Sequence, residues 1–479
     1  MLTYTFTDLG SDSMYSHLYK CIKRDMIQGL IPPGEKLPSK RSFAKNLGIS
    51  VITVENAYEQ LIAEGYIYSI PKKGYFAANI QKRPGDKGSS RKGESFRSHT
   101  KAPGYAADFS NNQAGTEQFP FSVWAKLIRE LLKDHQKEIL TNPPSGGVLE
   151  LRESIARHLL EFRGMEVYPE QIIVGAGTEY LYGLLIQLLG QDKCYGVENP
   201  GYQKISQIYE SHGVKCRHVA LEKDGVSIQD LEGQRVDVMH MSPSHHFPTG
   251  MVTPVSKRYE LLGWAAKDKK RYLIEDDYDS EFRLTGRPIP SLQSIDALEK
   301  VIYINTFTKT LSSTIRISYM VLPRHLMALF YKRLSFYSCT IPNLEQYTLA
   351  RFLSEGYFEK HINRMRNYYH RKRDFLLQEI YGSPLERYAS ISEEDAGLHF
   401  LLRLDITCTD EEFQLQMERR GIRIRALSEY FTGSVGKPEH IFVVNYSSLT
   451  EEQIKEAVSA MAEEAAKVRR KGTKDQYQE

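Results

Sequence analysis

The pattern of apolar and polar positions divides the chain into three textures. From Tyr15 to Gly29, apolar residues recur at Leu18, Ile22, Met26 and Ile27, the stripe of a helix that buries one side. The turn IPPGEKLPS ends in Ser39, whose hydroxyl suits a helix N-cap. A short helix then reaches Leu47, with Phe43, Ala44 and Leu47 inward, and Gly48 stops it. Ser50 caps a longer helix, ITVENAYEQLIAEG, closed by Gly65. After it, YIYSIPKKGYF alternates apolar and polar residues around PKKG, which predicts a β-hairpin wing. Residues 11–80 therefore read as a winged helix-turn-helix.

The second texture, residues 81–104, reads QKRPGDKGSSRKGESFRSHTKAPG and holds almost nothing to bury. It predicts a flexible basic linker, spanning roughly 25–30 Å as a random coil. From 105 to 470, short apolar strands alternate with helical stretches, the pattern of a layered α/β domain. At 479 residues the chain is long enough for several cores, which agrees with this division.

Charge adds a polarity. Residues 1–104 hold 16 Lys and Arg against 9 Asp and Glu, a net of +7, and the rest holds 47 against 51, a net of −4. A basic head on a mildly acidic body suits a polyanionic partner, although part of the excess lies in the linker. The five scattered cysteines form no CxxC pair, so neither a disulfide framework nor a cysteine metal site is expected. Met1–Gly10 lacks a basic stretch followed by an apolar core, and no run approaches the roughly 20 apolar residues of a membrane span. A cytoplasmic protein with no membrane partner is expected.

In the head, the second helix of the pair suits the major groove. Lys40, Arg41, Lys72 and Lys73 are candidates to neutralise phosphates, and Ser50 and Thr53 to meet base edges or phosphates. The texture alone also suits a protein-interaction module. The string LPSKRSFAKNLGIS, TVENAYEQLIAEGYIY, KKGYF resembles the GntR class of bacterial regulators through the whole domain. That resemblance implies a double-stranded DNA operator as partner. Many relatives carry Arg directly after the Ser that begins the second helix. Here Val51 stands there, so one DNA contact is expected to be missing and the sequence preference to differ.

Four segments of the body carry chemistry. QIIVGAGTEYLYGLL (171–185) is a strand running into a Gly turn that opens a helix, a place where free N–H groups suit a phosphate. Tyr180 stands where the third Gly of a dinucleotide fingerprint belongs. GVENPGYQK (196–204) presents Tyr202 on a turn after a strand, where it can stack on a planar ring or simply be buried. RYLIEDDYDSEF (271–282) ends a strand in a burst of carboxylates. Such a burst suits a pyridinium partner, a magnesium site or solvated loop acids, and the residues alone leave these open. In VIYINTFTKTLSSTIRISYM (301–320), Lys309 is a candidate Schiff-base lysine, and Thr306, Thr308 and Arg316 can share a phosphate.

The order of these segments resembles that of fold type I aminotransferases over roughly 105–465. The strings NPGY, PSHHFPTG, EDDYDSEF, TFTK with RISYM, and AGLHF resemble the MocR/GabR subfamily, in which a GntR-type head is joined to an aminotransferase-like body. The resemblance implies a large mixed sheet with a smaller C-terminal α/β subdomain and pyridoxal 5'-phosphate (PLP) as cofactor. By it, Lys309 carries PLP as an aldimine, Asp276 faces the pyridine nitrogen, Tyr278 meets the phenolic oxygen, and Tyr202 lies near the ring. Gly177, Thr178, Thr306, Thr308 and Arg316 hold the phosphate. It further implies a homodimer with swapped heads.

Three departures bear on function. Phe247 stands where ordinary aminotransferases place Asn, so a polar contact has to come from His245 or His246. Glu179 follows the phosphate turn, where its carboxylate repels an anion. The GABA-sensing relatives hold an effector carboxylate with two arginines, and here those positions read Lys204 and Glu429, with Arg423 and Arg425 as candidate substitutes. A charge-assisted pair is worth about 1.5–3 kcal/mol, so its loss weakens carboxylate binding. The expected function is a PLP-dependent regulator sensing PLP status or an amine or amino acid, with inefficient turnover and no metal. A competent aminotransferase with an attached DNA-binding domain is the alternative.

Overall fold

The structure is a computed structural model that describes residues 4, 6, 13–80, 104–111, 118–283, 289–395, 397–433 and 436–468. The linker expected over 81–104 lies outside these, Gly104 excepted. The chain divides into two compact units, Met1–Ala102 and Pro103–Glu479.

The head holds α1 (Met14–Ile27), α2 (Lys40–Leu47) and α3 (Val51–Ala63) with the strands β1 (Lys36–Leu37), β2 (Ile67–Ile70) and β3 (Gly74–Ala77). The strands form an antiparallel sheet in the order β1-β3-β2, and β1 is an addition to the expected hairpin. Both expected caps form. Ser39 Oγ accepts from Ser42 N at 3.2 Å and Ser50 Oγ accepts from Thr53 N at 3.1 Å. Leu18, Ile22, Phe43, Val54, Tyr58 and Leu61 are fully buried and make the core. Two expectations shift. Ile27 is 52% exposed, because Met26 takes the inward position at the end of α1 and Ile31 closes the core beyond it. Leu47 is only half-buried.

This core is small, so single truncations weigh heavily. Leu61→Ala should cost about 2–5 kcal/mol, the usual range for a buried Leu. In a calorimetric scan the head's transition should fall by about 10 °C or more, while the body's stays in place. A single unmoved transition would show that the two units do not melt separately.

The body contains an eight-stranded mixed sheet built from β5 (Ile172–Ala176), β6 (Cys194–Asn199), β7 (Lys215–Glu222), β8 (Gly225–Val226), β9 (Val238–Met241), β10 (Tyr272–Asp276), β11 (Val301–Thr306) and β12 (Ile317–Val321). β4 (Ala107–Asp108) precedes it in the chain and pairs in parallel with β15 (Ile422–Arg423). The sheet order is β5-β12-β11-β10-β9-β6-β7-β8. β11, β10, β9, β6 and β7 run parallel, and β12 is antiparallel to both its neighbours. Every residue of β9 to β12 is buried, as expected of strands covered by helices on both faces. A smaller antiparallel sheet, β13 (Ala389–Ser392), β14 (His399–Leu404), β17 (Ile441–Asn445) and β16 (Arg425–Ala426), forms the C-terminal subdomain.

The sheet places the chemistry. Gly177, Asn199, Ser242, Asp276 and Thr306 all sit at or just beyond the C-terminal ends of β5, β6, β9, β10 and β11. Ligand crevices in α/β sheets form at this edge. Among the described residues, no helix is long and apolar enough to cross a membrane.

Candidate functional site

A cavity of about 670 Å³ opens at this edge. Its floor is Asp276, the last residue of β10. Asp276 Oδ2 accepts from Tyr182 Oη at 2.6 Å and lies 3.3 Å from His240 Nε2, while His240 Nδ1 lies 2.8 Å from Tyr209 Oη. Asp276 Oδ1 is buried and has no hydrogen-bond partner. A buried, unpaired carboxylate oxygen is costly, so it marks a place built to meet an N–H or a cation. Tyr182, His240 and Tyr209 had no signal in the sequence that singled them out.

The rest of the carboxylate burst is not solvated loop. Asp277 accepts from Tyr303 Oη at 2.6 Å and pairs with Arg163 at 2.9 Å. Glu275 accepts the backbone N–H groups of Leu292 and Gln293, each at 2.9 Å. These acids brace the strand end from behind. Among the described residues, no group of three or more His, Cys, Asp or Glu is placed to hold a metal ion.

Lys309, three residues beyond β11, lines the same cavity. Burial pulls its ammonium from 10.5 down to about 8, with the charge of Asp279 acting the other way. Tyr278 lines the cavity too, and burial together with Asp279, Asp276 and Glu198 raises its phenol well above the ordinary range. Glu198 is a largely buried acid that no sequence signal singled out. Burial raises it to about 8, with Ser242 N donating to it at 3.0 Å.

One end of the cavity is shaped for an anion. Gly177 is the N-cap of the helix Thr178–Leu189, with φ 90°. A Cβ there would fall on Arg316 Nη2, so glycine at this turn lets the guanidinium lie across it. Arg316 itself has φ 55°. Thr306 Oγ1 donates to Thr308 Oγ1 at 2.7 Å and accepts from Ser318 Oγ at 2.8 Å. Glu179, in the first turn of the helix, accepts from Arg316 at 2.7 Å and from Lys204 Nζ.

Tyr202 stands at the entrance, 52% exposed, with its ring edge-on to Phe247 at 5.9 Å. Phe247 packs in turn on Tyr430 and His399. Of the two histidines beside it, His245 is the one near Tyr278, with Nδ1 3.3 Å from the phenol and 2.8 Å from Asp279 Oδ2. His246 turns to Thr249 Oγ1 at 2.7 Å, and burial lowers its pKa to about 3.

The mouth brings Lys204, Arg423, Arg425 and Glu429 together. Each cation faces an acid. Arg425 donates to Glu429 at 3.0 Å, Arg423 lies 3.9 Å from Asp108, and Lys204 donates to Glu179. The helix Gln203–Ser211 and the loop before it are tied to the C-terminal subdomain. Gly201 N donates to Tyr430 O at 3.1 Å, Gln203 Nε2 to Glu429 O at 2.7 Å, and Asn199 Nδ2 to Thr432 O at 3.1 Å.

In the head, Arg41, Lys72 and Lys73 are exposed, the last two at the hairpin tip, where Lys72 adopts φ 62°. Lys40 is bound to Glu55 at 2.6 Å. Ser50 and Thr53 are occupied with each other, their hydroxyls 2.8 Å apart at the start of α3. The side chains standing free at that end of the helix are Val51 and Ile52, 42% and 67% exposed.

Comparison with known proteins matches these two units to two families. Residues 14–76 match the bacterial regulatory proteins of the gntR family, and residues 108–461 match aminotransferase class I and II. The chain is 35% identical to the uncharacterized HTH-type transcriptional regulator YdeL of Bacillus subtilis, over 94% of this chain and 96% of that one. It is 30% identical to the probable rhizopine catabolism regulatory protein MocR of Rhizobium meliloti, over 94% and 93% of the two chains. Its body shares the fold of an archaeal alanine:glyoxylate aminotransferase, with a TM-score of 0.66 at 24% identity, over 75% of this chain and 91% of that one. The chain belongs to the GntR family of HTH-type transcriptional regulators, in the MocR-type subfamily that joins a DNA-binding head to a class I and II aminotransferase domain.

Proposed function

We propose that this regulator binds PLP in the body and reads PLP status as its signal. The observation that carries the reading is the pairing of Lys309 with the unpartnered Oδ1 of Asp276 in one cavity, beside a glycine turn covered by Arg316. A heteroaromatic aldehyde phosphate meets all three. Asp276 would face the ring nitrogen, Lys309 the aldehyde, Tyr278 the phenolic oxygen and Tyr202 the ring. Gly177, Thr178, Thr306, Thr308 and Arg316 would hold the phosphate. When bound, PLP supplies an electrophilic carbon and an electron-sink ring. The chain's own part is to orient it, bring the Lys309 ammonium down to about 8 so that a usable share is neutral near physiological pH, and hold the ring nitrogen's proton.

The mouth argues for PLP itself rather than a carboxylate effector. Lys204, Arg423 and Arg425 each face an acid, so an incoming carboxylate has to displace a solvated partner, at a cost of up to a few-fold in affinity for each pair. The same balance disfavours efficient transamination. We further propose a head at 11–80, a linker at 81–104 and a body at 105–470. The protein would act in the cytoplasm as a homodimer with swapped heads on a paired operator site.

Operator binding measured while PLP is titrated into stripped full-length protein tests this reading. Operator affinity should change along the same curve as PLP uptake. A change that appears only when an amino acid or amine is added to the loaded protein would make that compound the effector. Steady release of the keto product would restore the enzyme reading.

A further inference from the structure

At the anion end of the cavity a carboxylate stands where an anion has to arrive. We propose that Glu179 is a built-in competitor for the phosphate position, and that Lys204 is the partner that draws it aside. The proposal rests on the reading of the cavity as a PLP site and adds a device that sets how readily the body gives its ligand up.

The geometry is a shared guanidinium. Arg316 Nη2 is the atom that a Cβ on Gly177 would meet, so it belongs to the phosphate turn. The same atom donates to Glu179 Oε2 at 2.7 Å. The other oxygen, Oε1, accepts from Lys204, which rides on the separate helix Gln203–Ser211. A phosphate arriving at Gly177 and Thr178 therefore meets a guanidinium already partly neutralised and a carboxylate of its own sign. Withdrawal of Glu179 toward Lys204 frees Arg316 without leaving the acid unpaired. The three side chains are 38% (Glu179), 45% (Arg316) and 50% (Lys204) exposed, so the exchange involves solvated pairs and disturbs no core. Solvated pairs of this kind shift an equilibrium by a few-fold rather than by orders of magnitude.

This arrangement gives Lys204 a role other than holding an effector carboxylate. It is a positioning residue that acts through Glu179, and the two should have opposite effects when removed. The dissociation constants of PLP and of inorganic phosphate, the latter by calorimetry, should be measured on stripped full-length protein. The variants are Glu179→Gln, Lys204→Gln, the double substitution and Glu179→Asp, which keeps the charge but shortens the reach. Glu179→Gln should tighten both ligands about two- to fivefold, Lys204→Gln should weaken both, Glu179→Asp should fall between wild type and Glu179→Gln, and the double should match Glu179→Gln. Weaker or unchanged binding by Glu179→Gln, with its melting temperature intact, would overturn the competition. A double variant weaker than Glu179→Gln by the full Lys204 factor would show Lys204 touching the ligand directly. Phosphate binding that follows the expected order without any Lys309-dependent PLP signal would uphold the competitor and sink the cofactor reading instead.

Discussion

Lys309→Ala should lose the visible absorbance band that PLP gives with the wild-type protein, and the cofactor should wash out on desalting. The band requires condensation of an amine with the aldehyde, and Lys309 is the lysine in the cavity whose ammonium burial has brought down to about 8. The same shift fixes the pH dependence of capture. Only the neutral amine attacks, so capture should rise about tenfold per pH unit below about 8 and level off above it. The sign follows from the lowered pKa, because an ordinary lysine would still be gaining neutral amine up to 10.5. Stopped-flow absorbance between pH 6 and 9 reads both. A rate still climbing at pH 9, or a band surviving in Lys309→Ala, would place the reacting amine elsewhere.

The second large effect belongs to the head. Replacing Arg41, Lys72 and Lys73 together by Ala should weaken operator binding by one to two orders of magnitude at about 0.15 M salt. It should also reduce the slope of log affinity against log salt by about 3, one for each phosphate contact. The three are exposed and the melting of the head should not move. Lys40 is left out because Glu55 already holds it at 2.6 Å. An unchanged slope with reduced affinity would mean that these cations act on base edges or on the fold rather than on phosphates.

The parts of the protein that were legible in the sequence are local ones. The caps at Ser39 and Ser50, the breaker Gly48 and the alternation around PKKG each act within a few residues, and the head follows them. The order of Gly turn, Tyr202, Asp276 with Tyr278, and Lys309 with Arg316 was also legible, because each lies at a strand end. What brings Tyr182 to Asp276 is contact between residues 94 apart, and Tyr209 meets His240 across 31. No periodicity records such pairs. One acid of the mouth, Asp108, was hidden for the same reason. Asp108 reaches Arg423 only because β4 pairs with β15, two short strands at opposite ends of the body. Ser50 and Thr53 carry a further local role that their spacing recorded, since their exposed hydroxyls meet at the start of the helix and Ser50 caps it.

The nine-residue helix Gln203–Ser211 touches three places at once. Tyr209, near its end, reaches the floor through His240, Lys204 in its first turn meets Glu179, and its Gln203 with the loop before it is bonded to Glu429, Tyr430 and Thr432. Floor, anion end and C-terminal subdomain thus share one short rod. Amide protons along it and along 427–432 should exchange with solvent as a single cooperative unit, and filling the cavity should slow them together rather than one site at a time.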